Sequence, residues 1–128
     1  MGQYKDILVN INIEKSDEAL EVAQESLENN RLTTALNRIY YAIFYTVIAL
    51  AYKHNFETSK HAKLMGWFNK KFIYTDKIFD PKIYKIYENA FMLRQESDYE
   101  TLYQPDIEQA KSLLADTKTF IKTVRKAI

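Results

Sequence analysis

Two glycines and two prolines in 128 residues leave this chain almost without the residues that make tight turns. They sit at Gly2, Gly66, Pro81 and Pro105. An all-β or α/β domain needs many short connections with special backbone angles, so long helices are the architecture that remains. The hydrophobic spacing supports this and divides the chain into about five helices, an all-α, up-and-down bundle.

Residues 4 to 29 place Tyr4, Ile7, Leu8, Ile11, Ala19, Leu20, Ala23 and Leu27 at three-to-four spacing, which predicts a first helix with a break near Asn10 to Asn12. Asn29-Asn30 marks its end, because asparagine tolerates the left-handed cap conformation. Residues 31 to 53 are the most apolar stretch. Leu32, Ala35, Leu36, Ile39, Ala42, Ile43, Val47 and Leu50 keep helical spacing, and Tyr40, Tyr41, Phe44 and Tyr45 widen the apolar arc. A helix apolar on most of its circumference belongs at the centre of a fold or in an oligomer interface. Thr58 or Ser59 is the expected N-cap of a third helix through Lys71, whose inner face carries His61, Leu64, Met65, Phe68 and Phe72. Phe72 to Thr75 reads as a connection. Asp80-Pro81 opens a fourth helix to about residue 98, and Pro105-Asp106 opens a fifth in which Ile107, Leu114, Ile121 and Ile128 recur every seven residues, a bundle-packing seam.

At 47% hydrophobic, a chain of this length can bury a core as one domain, residues 1 to 128, without disulfides or metals. Eighteen basic against seventeen acidic residues give no global attraction toward nucleic acid or an anionic membrane. The stretch from Lys53 to Lys77 is locally basic, a pattern that a solvated helix also produces. No cysteine is present, which excludes thiolate chemistry and Cys-ligated metal. Two histidines and no glycine-rich phosphate loop point to no metal and no cofactor. No apolar run approaches the about 18 residues of a membrane span, and the first residues lack a leader pattern, so a cytoplasmic location is expected.

The chemistry concentrates in Ala90-Phe91-Met92-Leu93-Arg94-Gln95-Glu96-Ser97-Asp98-Tyr99. Ile83, Tyr87, Ala90, Arg94 and Asp98 fall on nearly one line of a helix, so Arg94 extends an inward-facing stripe and Asp98, one turn on, is its local partner. Such a pair is either a structural ion pair or one element of a site that binds or polarises phosphate. Arg38, Tyr41 and His61 are the candidate neighbours. An arginine can stabilise charge that develops on phosphorus, and a tyrosine or histidine can act as acid or base in metal-free RNA cleavage. Arg38 also reads as a surface arginine stacked on tyrosine rings, and His61 as a structural histidine at the start of its helix.

Three blocks together resemble the small prokaryotic HEPN domain proteins. They are Ala35-Leu36-Asn37-Arg38-Ile39-Tyr40-Tyr41-Ala42-Ile43-Phe44, Ser59-Lys60-His61, and Leu93-Arg94-Gln95-Glu96-Ser97-Asp98-Tyr99, and the resemblance spans about residues 14 to 126. It implies a helical bundle that forms a homodimer, with the arginine-bearing helix close to the two-fold interface. It further implies a minimal nucleotidyltransferase as partner in a toxin–antitoxin-like pair, in which the HEPN member is a metal-independent ribonuclease. In that family the arginine is followed by a polar residue and, a few positions on, by a histidine. Arg94 and Gln95 match, but Tyr99, Glu100 and Thr101 stand where the histidine is expected.

The resemblance therefore leaves three roles open for Arg94, Asp98 and Tyr99. Tyr99 or His61 replaces the histidine in catalysis, the site binds nucleotide or RNA without cutting it, or the pair holds the dimer together. The same resemblance makes Tyr99 and Tyr103 expected targets of modification by the partner.

Overall fold

A computed structural model describes residues 2 to 128. Five α-helices follow in order: α1 (Gly2–Glu28), α2 (Leu32–Lys53), α3 (His61–Phe68), α4 (Pro81–Tyr99) and α5 (Ile107–Arg125). The fold is an all-α bundle, with no strand among the described residues. Helix α2 is its axis, packed by α1 along its length and by α4 and α5 on other sides. Its residues Ala35, Ile39, Tyr40, Ala42, Ile43, Val47 and Leu50 are fully buried. By length and composition α2 is also the one helix among the described residues that could cross a membrane, but 61% of that stretch is buried inside the bundle.

Helix α1 runs without a break. Asn12, expected at an interruption, turns its side-chain amide back to the Leu8 carbonyl (2.9 Å) and so bonds within the helix instead of competing with it. The packing stripe of α1 holds at Ala19, Ala23 and Leu27 but differs from the expected one in the first half of the helix. Tyr4, Ile7 and Ile11 are 64%, 50% and 41% exposed, while Val9, Asn12, Ser16, Ala19, Ala23 and Ser26 are buried. These six alternate steps of three and four, the coiled-coil spacing, with small side chains that let the two backbones approach. Ser16 makes use of that closeness. Its hydroxyl donates to the Ala42 carbonyl (2.8 Å) and lies 2.7 Å from the Thr46 hydroxyl, so the buried polar atoms at the contact are paired.

Helix α3 starts at His61, and the expected N-cap is absent: Lys60 occupies the cap position without a side-chain bond, and the Thr58 hydroxyl accepts from the Lys60 N–H (3.1 Å) in a local turn. The helix ends earlier than Lys71 as an α-helix but continues as a π-helical segment, Asn69–Thr75, which takes in Phe72 to Thr75, where a connection was expected. The wider turn brings both Phe72 and Ile73 inward. Phe68, Phe72 and Phe79 then form a triangle of rings with centroids 5.5 to 5.8 Å apart. Asp80 caps α4 through the Lys82 N–H (2.8 Å) with Pro81 in the first turn, and Asp106 caps α5 through the Glu108 N–H (2.9 Å). On α5 the seven-residue seam holds at Leu114 and Ile121, and the most deeply buried line is Ala110, Thr117, Phe120 and Val124.

Candidate functional site

Ile83, Tyr87 and Ala90 are buried on the inner face of α4, and this stripe carries Arg94 and Asp98 onto the side facing the N-terminal half of α2. The Arg94 and Asp98 side chains retain only 13% and 18% of their exposure, and Arg94 Nε donates to Asp98 Oδ2 at 2.9 Å. The same oxygen accepts from Asn37 Nδ2 (3.0 Å) on α2. Asn37 Oδ1 in turn accepts two bonds from Arg38, 3.0 Å from Nε and 2.8 Å from Nη2. A single chain of charge-assisted bonds therefore runs Arg94, Asp98, Asn37, Arg38 and ties α4 to α2.

The outer edge of the Arg94 guanidinium is held more loosely. Nη2 lies 3.4 Å from the Tyr41 hydroxyl and 3.2 Å from the Tyr99 hydroxyl, and Nη1 lies 3.5 Å from Gln95 Oε1, all at the long end of hydrogen-bond range. Aromatic faces surround the group, with ring centroids of Tyr40, Tyr41 and Tyr99 5.7, 5.4 and 5.3 Å from its central carbon. Arg38 stacks on Tyr41 at 5.0 Å, as the surface-arginine reading required, while also bonding Asn37.

His61 reaches the same aromatic patch from the start of α3. Its ring stacks on Phe44 (centroids 4.5 Å apart) and stands edge-on to Tyr41 (6.0 Å), and Nδ1 is hydrogen-bonded to the buried Tyr40 hydroxyl. Burial first, and then the positive charge of Arg94, hold the His61 imidazole below its usual pKa, so it is neutral near pH 7. Burial, with the neighbouring Tyr41, drives the Tyr40 phenol well above the ordinary tyrosine range, and it keeps its proton.

The structure thus brings Arg38, Tyr41, His61, Arg94, Gln95, Asp98 and Tyr99 into one cluster. Tyr103 lies apart from it, half-buried in a groove with Asn89, Met92 and Glu96 between α4 and α5. Asn37, Tyr40 and Phe44 were not singled out from the sequence, although all three stand on the same stretch of α2 as Arg38 and Tyr41. The i to i+4 step from Asn37 to Tyr41 was the available signal, obscured because almost every position there is apolar or aromatic. No group of three or more His, Asp or Glu side chains among the described residues is arranged to hold a metal ion.

The comparisons agree along the length of the chain. The HEPN domain family model matches residues 9–127. A UPF0332 protein of Thermotoga maritima is 34% identical over 114 residues, 89% of this chain and 86% of that protein. Two proteins of Methanocaldococcus jannaschii are similar as well. "Putative toxin MJ0605" is 33% identical over 119 residues, 91% of this chain and 85% of that protein, and "Putative toxin MJ0142" is 30% identical over 114 residues, 89% and 77%. A family model that covers nearly the whole chain, on a five-helix bundle with the arginine motif turned inward on α4, establishes that this chain belongs to the HEPN domain family.

Proposed function

We propose that this chain is the HEPN module of a toxin–antitoxin-like pair whose other member is a minimal nucleotidyltransferase, and that the Arg94 cluster contacts phosphate in metal-independent cleavage of RNA. The observation that carries this reading is how Arg94 is bonded. Asp98 holds the inner Nε at 2.9 Å, while Nη1 and Nη2 make only contacts of 3.2 Å or longer. A guanidinium oriented by a carboxylate on one edge and weakly occupied on the other can engage two phosphate oxygens. The toxin names of two relatives support the same class of role. A homodimer fits it too, since Met92, Tyr99 and Leu102 project from the end of α4 and the following loop as exposed apolar side chains.

A second reading is a non-catalytic module that binds a nucleotide or its partner. It is favoured by the absence of a motif histidine after Arg94 and by the Arg94 to Arg38 bond chain, which does structural work between helices whether or not RNA is cut. Incubation with total RNA in the presence of EDTA separates the two, using wild type and a folded Arg94→Ala variant. Cleavage by the wild type alone supports the ribonuclease, and no cleavage by either supports the binding module. Co-expression with a minimal nucleotidyltransferase, followed by mass spectrometry, tests Tyr99 and Tyr103 as modification sites. Tyr99, 68% exposed, is the more accessible of the two, and unmodified peptides at both positions count against the pairing.

A further inference from the structure

The Tyr40 side chain is completely buried, and the one polar partner of its hydroxyl among the described residues is His61 Nδ1. That restriction decides where the imidazole carries its proton. If Nδ1 held the hydrogen, it would donate to the Tyr40 oxygen, and the phenol hydrogen would then be left buried without an acceptor among the described residues. A buried donor left unmade costs about 1–3 kcal/mol. If Tyr40 donates to Nδ1, both groups are satisfied, and the neutral imidazole carries its hydrogen on Nε2. Nε2 has no bonding partner among the described residues and is not sealed from solvent.

His61 and the outer edge of Arg94 share the patch formed by Tyr40 and Tyr41. Arg94 lies 5.7 and 5.4 Å from those two ring centroids, and His61 lies 5.6 and 6.0 Å from them. We propose that His61 is a second phosphate-contacting residue beside Arg94, fixed by Tyr40 as the Nε2–H tautomer so that it meets the anion as a hydrogen-bond donor and not as a general base. Tyr40 is the positioning residue. The ligand is a phosphate ester of a nucleotide or RNA, and the inference rests on reading the Arg94 cluster as a phosphate site. An anion at Nε2 favours the imidazolium and works against the burial and the Arg94 charge that now keep the ring neutral. The charged and titratable groups that face the ring are Tyr40 and Tyr41 from α2 and Arg94 from α4.

Because the chain has two histidines, His54→Gln leaves His61 as the only imidazole signal. Long-range proton–nitrogen NMR correlation on the labelled full chain reads its tautomer and its titration midpoint, with and without inorganic phosphate. The expected result is Nε2–H in the free protein and a midpoint that moves upward on adding phosphate. Tyr40→Phe should give mixed tautomers with the fold intact by circular dichroism. His61→Gln should weaken phosphate binding about tenfold, the loss of one charge-assisted hydrogen bond. The Nδ1–H tautomer, or a midpoint indifferent to phosphate, overturns the proposal. Phosphate binding that depends on Arg94 while His61 stays silent overturns it and leaves the Arg94 reading standing, whereas no binding at all removes both.

Discussion

Asp98 is the junction of the candidate site, and replacing it tests whether the bond chain orients Arg94 or merely decorates the surface. One oxygen accepts from both Arg94 Nε (2.9 Å) and Asn37 Nδ2 (3.0 Å). Asp98→Ala removes both bonds and leaves Arg94, 13% exposed, without its carboxylate. Bonds to charged groups contribute about 1.5–3 kcal/mol each when deleted from one side, and partial rehydration of the guanidinium recovers some of that. Asp98 also lies in the last turn of α4, where a negative charge opposes the helix dipole, an effect of about 0.3–1 kcal/mol that the alanine relieves. The net expectation is a destabilisation of about 2 kcal/mol. For a domain of this size that lowers Tm by about 6–8 °C. Asp98→Asn keeps an oxygen for both donors and relieves the dipole conflict, so its stability should lie within about 0.5 kcal/mol of wild type. Urea unfolding of the two variants, with Arg94→Ala and the double variant to complete a cycle, measures the coupling directly. An Asp98→Ala protein as stable as wild type, or a cycle with no coupling, would show that the pair seen here contributes nothing and that Arg94 is not held in place by it.

Three further outcomes follow from the fold. The Tyr87 hydroxyl is buried without a partner among the described residues, so Tyr87→Phe should raise stability by about 1 kcal/mol in urea unfolding, and a loss of stability would mean that a trapped water satisfies it. Lys77 is exposed and holds φ at 51°, a left-handed backbone that costs a side-chain-bearing residue about 1–2 kcal/mol, so Lys77→Gly should stabilise the protein, and a decrease would show that the lysine is anchored in a way its backbone angle does not reveal. Burial lowers the pKa of both His54 and His61, the unfolded chain therefore binds more protons than the folded one below the ordinary histidine value of 6.5, and stability should fall as the pH drops through that window. Chemical denaturation from pH 7.5 downward measures the slope, which His54→Gln and His61→Gln should each reduce; an unchanged slope in both would place the acid sensitivity in the carboxylates.

Much of this molecule was legible before any coordinates. The scarcity of glycine and proline, the aromatic breadth of α2 and the helix openings at Asp80-Pro81 and Pro105-Asp106 specified an all-helical bundle because each is a local property of a few neighbouring residues. The stripe from Ile83 to Asp98 was legible for the same reason, and it put Arg94 on the inner side of α4. Where local patterns misled, size was the cause. The periodicity holds at Ala19, Ala23 and Leu27, but in the first half of α1 it follows the large side chains Tyr4, Ile7 and Ile11, whereas the helix buries Val9, Asn12 and Ser16, whose smallness is useful only once α2 lies against them. The π-helical turn after α3 likewise packs on Phe79, which closes the ring triangle from outside that helix.

The composition of the candidate site was divided in the same way. The sequence by itself determined the pairing of Arg94 with Asp98, because residues four apart on a helix are neighbours whatever surrounds them. Only the tertiary structure decided that Asn37 joins that pair to Arg38 and that Tyr40 takes hold of His61. Those contacts span 61 and 21 positions of chain, and their geometry is set by how α2 is packed against α4 and α3, which no local spacing encodes.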